Sequence, residues 1–161
     1  MALARSLHAE HLAGKRVVEL GCGVGLPSVV ALARGVSVTA TDHYRAALDF
    51  TRYNALVNLG CEPCTRLLDW HSPRLEELGP FDLVLAADVL YETRNVSALA
   101  ALVPTLLAPD GEVLLADPRR KNAPVFLERM WERGFRPSTE ECLVRSDGRA
   151  VPVLVHRLRA C

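Results

Sequence analysis

The chain has 161 residues, 50% of them hydrophobic and 24% charged, which fits a single domain over 1–161 and excludes a disordered chain. Lys plus Arg and Asp plus Glu both number 19. That zero balance lacks the basic excess that phosphate contacts demand and argues against a nucleic-acid partner.

Short apolar runs alternate with amphipathic stretches, the pattern of an α/β domain with a mostly parallel, doubly wound sheet. In chain order, Arg16–Leu20 is a buried strand and Leu26–Arg34 a helix ended near Gly35. Val36–Thr41 is a β-branched, alternating strand, and Tyr44–Leu59 is a long helix with Gly60 as its C-cap. Pro63–Leu68 is the third strand. Phe81–Ala86 is the fourth and is apolar enough for a sheet centre. Thr93–Leu107 is helical, bent or split at Pro104. Pro109-Asp110-Gly111 is a turn, Glu112–Ala116 the fifth strand, and Ala123–Arg133 a helix closed by Gly134. At the tail, Cys142–Arg145 and Val151–Arg157 flank Ser146-Asp147-Gly148-Arg149, an Asp-Gly hairpin signal. The expectation is five β/α units followed by an antiparallel hairpin.

No run reaches the roughly 18 apolar residues of a membrane span. The apolar stretch 99–107 is interrupted by Pro104, and no signal peptide is legible. The expected location is the cytoplasm, with no membrane partner. Five cysteines do not form a secreted framework. Cys61-Glu62-Pro63-Cys64 lacks the second ligand pair that zinc needs and precedes a strand, so no metal is expected and these cysteines read as incidental. Arg119-Arg120-Lys121 is the most basic stretch and reads as a solvated loop. Asn54 and Asn58 read as surface or local hydrogen-bonding groups, and Phe126 and Trp131 as helix-to-sheet packing.

Where strand one hands over to helix one stands Glu19-Leu20-Gly21-Cys22-Gly23-Val24-Gly25. Glycines there let the chain turn tightly and let a ligand approach the backbone. A dinucleotide fingerprint would need glycine at Leu26, so NAD or FAD fits poorly. The observed spacing is E-x-G-x-G-x-G. Further candidates follow the later strands. Asp42 ends strand two, where a carboxylate accepts hydrogen bonds from ribose hydroxyls or caps the next helix, with His43 beside it. Asp69-Trp70 follows strand three, Trp70 offering an aromatic face or serving the core. Ala87-Asp88-Val89-Leu90-Tyr91 ends strand four.

E-x-G-x-G-x-G resembles motif I of class I S-adenosylmethionine-dependent methyltransferases. More narrowly, Leu26-Pro27 after the glycine loop, Leu68-Asp69-Trp70 after strand three and Asp88-x-x-Tyr91 after strand four resemble the methyltransferase-like, family 16 protein-lysine methyltransferases and their bacterial relatives. Asp117-Pro118-Arg119 resembles the Asp-Pro-Gly-Arg of some relatives, with Arg119 where their glycine stands. The resemblance covers the chain from Gly14 onward. It implies a class I methyltransferase fold and S-adenosyl-L-methionine as cofactor, leaving S-adenosyl-L-homocysteine as product. It implies a cofactor site of Glu19, Gly21, Cys22, Gly23, Gly25, Asp42, His43, Asp69, Trp70 and Ala87. Asp88 and Tyr91 are then the catalytic candidates: Asp88 orients the acceptor amine and Tyr91 hydrogen-bonds it or walls the pocket, or else both are structural. Asp117 and Arg119 line an acceptor pocket or form a plain turn. Relatives carry a tryptophan-bearing segment before strand one, whereas only Met1–Ala13 precede Gly14 here, so the acceptor side is expected to be unusually open, completed by a partner, or missing.

The methyl acceptor is a protein lysine or a small molecule. A cofactor-binding module acting through a partner is a third reading, motivated by the short N-terminal segment. Oligomeric state is not legible.

Overall fold

The computed structural model describes residues 1–76, 78–146 and 148–161. Its elements are α1 (Ala2–Ala9), β1 (Arg16–Leu20), α2 (Leu26–Ala33), β2 (Ser37–Asp42), α3 (Arg45–Leu59) and β3 (Cys64–Leu67). They continue with β4 (Phe81–Ala87), α4 (Thr93–Leu106), β5 (Leu107–Asp117), α5 (Ala123–Glu132), β6 (Phe135–Ser146) and β7 (Arg149–Ala160). One seven-stranded sheet runs in the order β3-β2-β1-β4-β5-β7-β6. The first five strands are parallel and β7 is antiparallel to both β5 and β6. The winding reverses beside β1: β2 and β3 lie to one side and β4 and β5 to the other. Open α/β sheets bind ligands at such a switch point, outside the carboxyl ends of the strands.

The central strands are mostly apolar because helices cover both faces. Val18, Leu20, Val84, Val113 and Leu115 pack with Leu99, Val103, Phe126 and Met130 of α4 and α5. Val17, Leu83, Leu85 and Leu114 pack with Leu3 and Leu7 of α1 and Ala31 of α2. Among the described residues, no helix is long and apolar enough to cross a membrane.

Several boundaries differ from the sequence reading for physical reasons. Four strands, not five, are followed by a helix. Between β3 and β4 the described residues contain none, because Pro73, Gly79 and Pro80 punctuate that stretch. Pro104 does not split α4, which runs on through it to Leu106. Pro109-Asp110-Gly111 is not a free turn but an irregularity within β5. Phe81 pairs with Leu107 and Leu83 with Glu112, so two steps on β4 face five on β5. A Cβ at Gly111 would stand 2.9 Å from the Phe81 carbonyl oxygen, which is why glycine occupies that position. Both hairpin strands are longer than expected, since β6 begins at Phe135 on a polar, edge-strand sequence that carries no apolar alternation. The register pairs Ser146 with Arg149; Asp147 of the expected turn lies outside the described residues.

Helix α1 is the element the sequence left unassigned. Its eight residues are too short for a periodicity signal, yet Leu3 and Leu7, one turn apart, are fully buried. Polar contacts reinforce it. Arg157 of β7 binds both Glu10, just past α1, and Glu112 of β5. Glu112 also receives Lys15 at 3.2 Å and Arg159 at 3.0 Å. Burial of Glu112 favours its neutral form, but the hydrogen bonds from Arg157, Lys15 and Arg159 outweigh that and hold its carboxyl below the ordinary value. An acid depressed in the folded state contributes stability above its unfolded pKa and loses it as pH falls. Glu112→Gln should therefore cost about 2–3 kcal/mol at pH 7, less than a fully buried pair because its cations keep some solvent. It should also flatten the loss of stability below about pH 4.5, read from urea melts between pH 3 and 7.

Candidate active site

A cleft of about 570 Å³ opens at the carboxyl ends of β1, β2 and β4, at the switch point. Gly21, Gly23, Asp42, His43, Asp69, Trp70, Ala87, Asp88 and Tyr91 line it, so nine of the residues singled out from the sequence meet in one place. The rest of the wall was not anticipated: Tyr44, Ala47, His71, Val89, Glu92, Arg94 and Asn95. Most of these follow an anticipated residue by one to four positions, carried there by the turn into α3 or α4.

Each glycine of the loop has a different reason to be one. A Cβ on Gly21 would lie 3.0 Å from the Trp70 ring, so Trp70 closes over the loop and packs against backbone. A Cβ on Gly23 would meet nothing within 4 Å, so that backbone faces open cleft. A Cβ on Gly25 would sit 2.4 Å from Thr51 of α3, and Gly25 does not line the cleft; its glycine lets α2 and α3 close together. Its φ of +76° adds a second reason.

Asp42 is 8% exposed and organises the loop. One carboxylate oxygen accepts the Gly23 N–H at 3.0 Å and the other the Tyr44 N–H at 2.9 Å. Asn54, expected to be a surface or local hydrogen-bonding group, donates across 30 positions to the Val24 carbonyl oxygen at 2.8 Å and thereby ties α3 to the same loop. Asp69 accepts the His71 N–H at 2.9 Å. The indole Nε1 of Trp70 is buried with no hydrogen-bond partner among the described residues.

Glu19 and Cys22, expected to contact a ligand, do not line the cleft. Glu19 is 1% exposed and accepts both the N–H and the hydroxyl of Ser28, at 2.9 and 2.5 Å. It bolts β1 to α2 behind the loop. Burial pushes its carboxyl up to about 7, opposed by the Ser28 hydrogen bonds and aided by the Asp42 charge. The Cys22 thiol is turned toward α3, within 3.2 Å of the Thr51 hydroxyl, and burial raises it to about 12.

The loop after β4 is held from three sides. The Asp88 N–H donates to the Ala116 carbonyl oxygen at 2.8 Å. Asn122 donates to the Leu90 carbonyl oxygen at 2.8 Å, and Asn95 reaches Val89 at 3.5 Å. Asp88 is in the left-handed region, φ +56°, a conformation that costs a non-glycine residue about 1–2 kcal/mol. Arg120 grips its carboxylate with two donors, Nε at 2.7 Å and Nη2 at 2.8 Å. The basic stretch expected to be a solvated loop therefore reaches the site, and Arg120 was missed because it was read only as part of a charge run.

Asp117 and Arg119 do not line the cleft either. Asp117 is 1% exposed, with its carboxylate accepting the Arg120 N–H at 3.0 Å; it shapes the turn that aims Arg120. Arg119 turns away to pair with Glu141. Its φ of +63° is a conformation that favours glycine, the residue that the resemblance implies at that position. Phe126 is buried as expected, but Trp131 is 53% exposed and stacks under the Arg136 guanidinium at 4.0 Å.

The family model described as lysine methyltransferase matches residues 1–133. Protein N-lysine methyltransferase METTL21A of Danio rerio is 37% identical over 65% of this chain and 50% of its own length. Its counterpart from Mus musculus is 33% identical over 86% of this chain and 65% of its own. The chain thus spans about half to two thirds of the length of these relatives. A crystal structure of a SAM-dependent methyltransferase from Methanosarcina mazei superposes with a TM-score of 0.76 at 13% identity, covering 96% of each chain, and establishes the class I methyltransferase fold.

Two outcomes follow from the loop. Gly25→Ala should lower the melting temperature with no ligand present, at a cost of about 2 kcal/mol or more, and Thr51→Ala in the same chain should recover part of it; equal losses with and without Thr51 would dissociate the two residues. A buried acid whose folded pKa is raised binds a proton that the unfolded chain releases. The stability tied to Glu19 is thus complete below about pH 4.5 and declines as pH rises through about 7. Glu19→Gln should be more stable relative to wild type at pH 8 than at pH 5, measured by chemical denaturation at both.

Proposed function

The chain belongs to the lysine methyltransferase family, and from that premise we propose that it is an S-adenosylmethionine-dependent methyltransferase that methylates a nitrogen, the side chain of a protein lysine. The observation that carries the cofactor is the cradle formed by Gly23, open to the cleft with room for an approaching ligand, and Asp42 directly beneath it. The cleft volume lies in the range of small-molecule sites. The Trp70 ring forms part of its wall. A ligand with a dihydroxylated ribose and an adenine suits this set. Asp42 would accept from the ribose hydroxyls, Asp69 from the adenine amino group, and the Gly21–Gly23 backbone would lie under the methionine portion.

Bound there, S-adenosylmethionine supplies a methyl group activated by its sulfonium for in-line displacement, with S-adenosylhomocysteine as the product. The chain's own task is to position and desolvate the acceptor. Asp88 and Tyr91 stand at the end of β4 on the same wall as Ala87, on a loop fixed by Asn95 and Asn122. Asp88 orients the acceptor nitrogen through a hydrogen bond, and Tyr91, 56% exposed at the rim, contacts the acceptor as it enters. Lysine as the acceptor rests on the family and on Asp88-x-x-Tyr91.

Calorimetric titration with S-adenosylmethionine tests the cofactor. Wild type should bind saturably, and Asp42→Ala should bind roughly ten- to a hundredfold more weakly, the loss of a charged hydrogen bond worth about 1.5–3 kcal/mol. Tritium from methyl-labelled cofactor should then enter lysines of protein in a matched lysate. Absence of saturable binding by wild type would sink the cofactor assignment, and label confined to small molecules would sink the lysine assignment.

A further inference from the structure

Asp88 does not stand in the cleft as a free anion. Arg120 Nε and Nη2 hold its two oxygens side-on at 2.7 and 2.8 Å. The clamp is assembled by the fold, not by chance contact. Buried Asp117 accepts the Arg120 N–H and fixes the turn after β5. That turn passes through Arg119 at φ +63°, and Asp88 itself sits at φ +56°. Two non-glycine residues at this ion pair thus hold the left-handed conformation that L side chains rarely adopt. The pair does not offset that strain, since the Arg120 and Asp88 side chains are 43 and 48% exposed and such pairs contribute little. Its consequence is for charge.

Resting on the lysine reading above, we propose that Arg120 is a positioning residue that neutralises Asp88, so that the cleft receives the acceptor nitrogen as a free amine and not as an ammonium. A bare carboxylate beside an ammonium favours the charged form and raises its pKa. That would hold the acceptor in the protonation state that has no lone pair. With Arg120 in place the pair that meets the nitrogen carries no net charge. An arriving ammonium gains almost nothing from the pair and loses its hydration, whereas a neutral amine donates one N–H to a carboxylate lone pair that Arg120 leaves available. The proton is then lost to solvent before the nitrogen docks. No base in the cleft is required.

The other charged and titratable groups facing this end of the cleft are His71, Tyr91 and the Glu92–Arg94 pair, with Asp117 beneath the turn and Asp42, His43, Tyr44 and Asp69, which follow β2 and β3, at the far wall. All are common to wild type and an Arg120 variant. A window of pH 7.5–9.5 lies above the ordinary range of carboxylates and histidine and below that of tyrosine.

The test is binding of Nα-acetyl-lysine methylamide, a lysine side-chain probe, to the protein saturated with S-adenosylhomocysteine, followed by NMR across that window. Saturation with S-adenosylhomocysteine also verifies folding of each variant. Below the amine pKa of about 10.4 the neutral fraction rises tenfold per pH unit. The apparent affinity of wild type should therefore climb roughly a hundredfold from pH 7.5 to 9.5. Arg120→Gln, which leaves Asp88 an anion, should bind the ammonium and show an affinity nearly independent of pH in the same window. Arg120→Lys keeps the charge and should restore the wild-type slope. Equal slopes in wild type and Arg120→Gln would overturn the role of Arg120 while leaving the lysine reading intact. A probe that binds neither protein would overturn both.

Discussion

The cleft depends first on how closely α2 and α3 approach across the glycine loop. At Gly25 there is no space for even one carbon before Thr51, so the loop, the helix it starts and the helix it leans on are fixed together. Thr51 also reaches the Cys22 thiol, and Asn54, three residues along the same helix, holds the Val24 carbonyl. Helix α3 is thus a brace for the loop as much as a crossover between β2 and β3. Glu19 does the same from the other side by gripping Ser28 at the start of α2. With the loop held at both flanks, the Gly23 backbone can stay open to the cleft without collapsing into it. A ligand then finds the loop already in place, with the ordering cost met on folding.

This division of labour explains why residues in one short motif serve different ends. Of the acid and three glycines, only Gly21 and Gly23 face the cleft. Glu19 and Gly25 build the frame that presents them. A motif read from sequence marks both kinds of residue alike, because spacing carries no information about which side of the backbone a ligand occupies.

The parallel sheet and its switch point were legible because the central strands are continuous apolar runs separated by punctuated helices. The wall residues that end those strands, Asp42, Asp69, Asp88 and Trp70, were legible for the same reason: a strand end is where its run of apolar residues stops. What escaped were contacts whose partners lie far apart in sequence. Arg120 reaches Asp88 across 32 positions, as Asn122 reaches Leu90, and no local pattern distinguishes a clamped arginine from a solvated one. Helix α1 escaped because eight residues are too few to show a period, and its stability comes from Leu3 and Leu7 packing on the sheet, which is a tertiary matter. The early start of β6 escaped because an edge strand need not alternate. For Asp117 and Arg119 the sequence left a pocket wall and a plain turn open, and the structure has them in the turn, a choice that local sequence does not make.

The carboxylates around the cleft fall into two groups by what holds them. Asp42 and Asp69 accept backbone N–H groups, which orient a carboxylate without cancelling its charge. Asp88 and Glu92 are held by the guanidinium groups of Arg120 and Arg94, which cancel it. The zero net charge of the whole chain conceals this arrangement: one end of the cleft keeps its negative potential and the other is balanced locally. The two ends then favour different chemistry. Full carboxylates suit neutral hydroxyl and amino donors and any positive charge on a nucleotide-like ligand. Balanced pairs suit a nitrogen that must arrive without its extra proton. In a partly desolvated cleft such differences weigh more than in bulk water, so the placement of two arginines, neither of which belongs to the glycine motif, decides which end can bind a cation and which end is suited to an uncharged nucleophile.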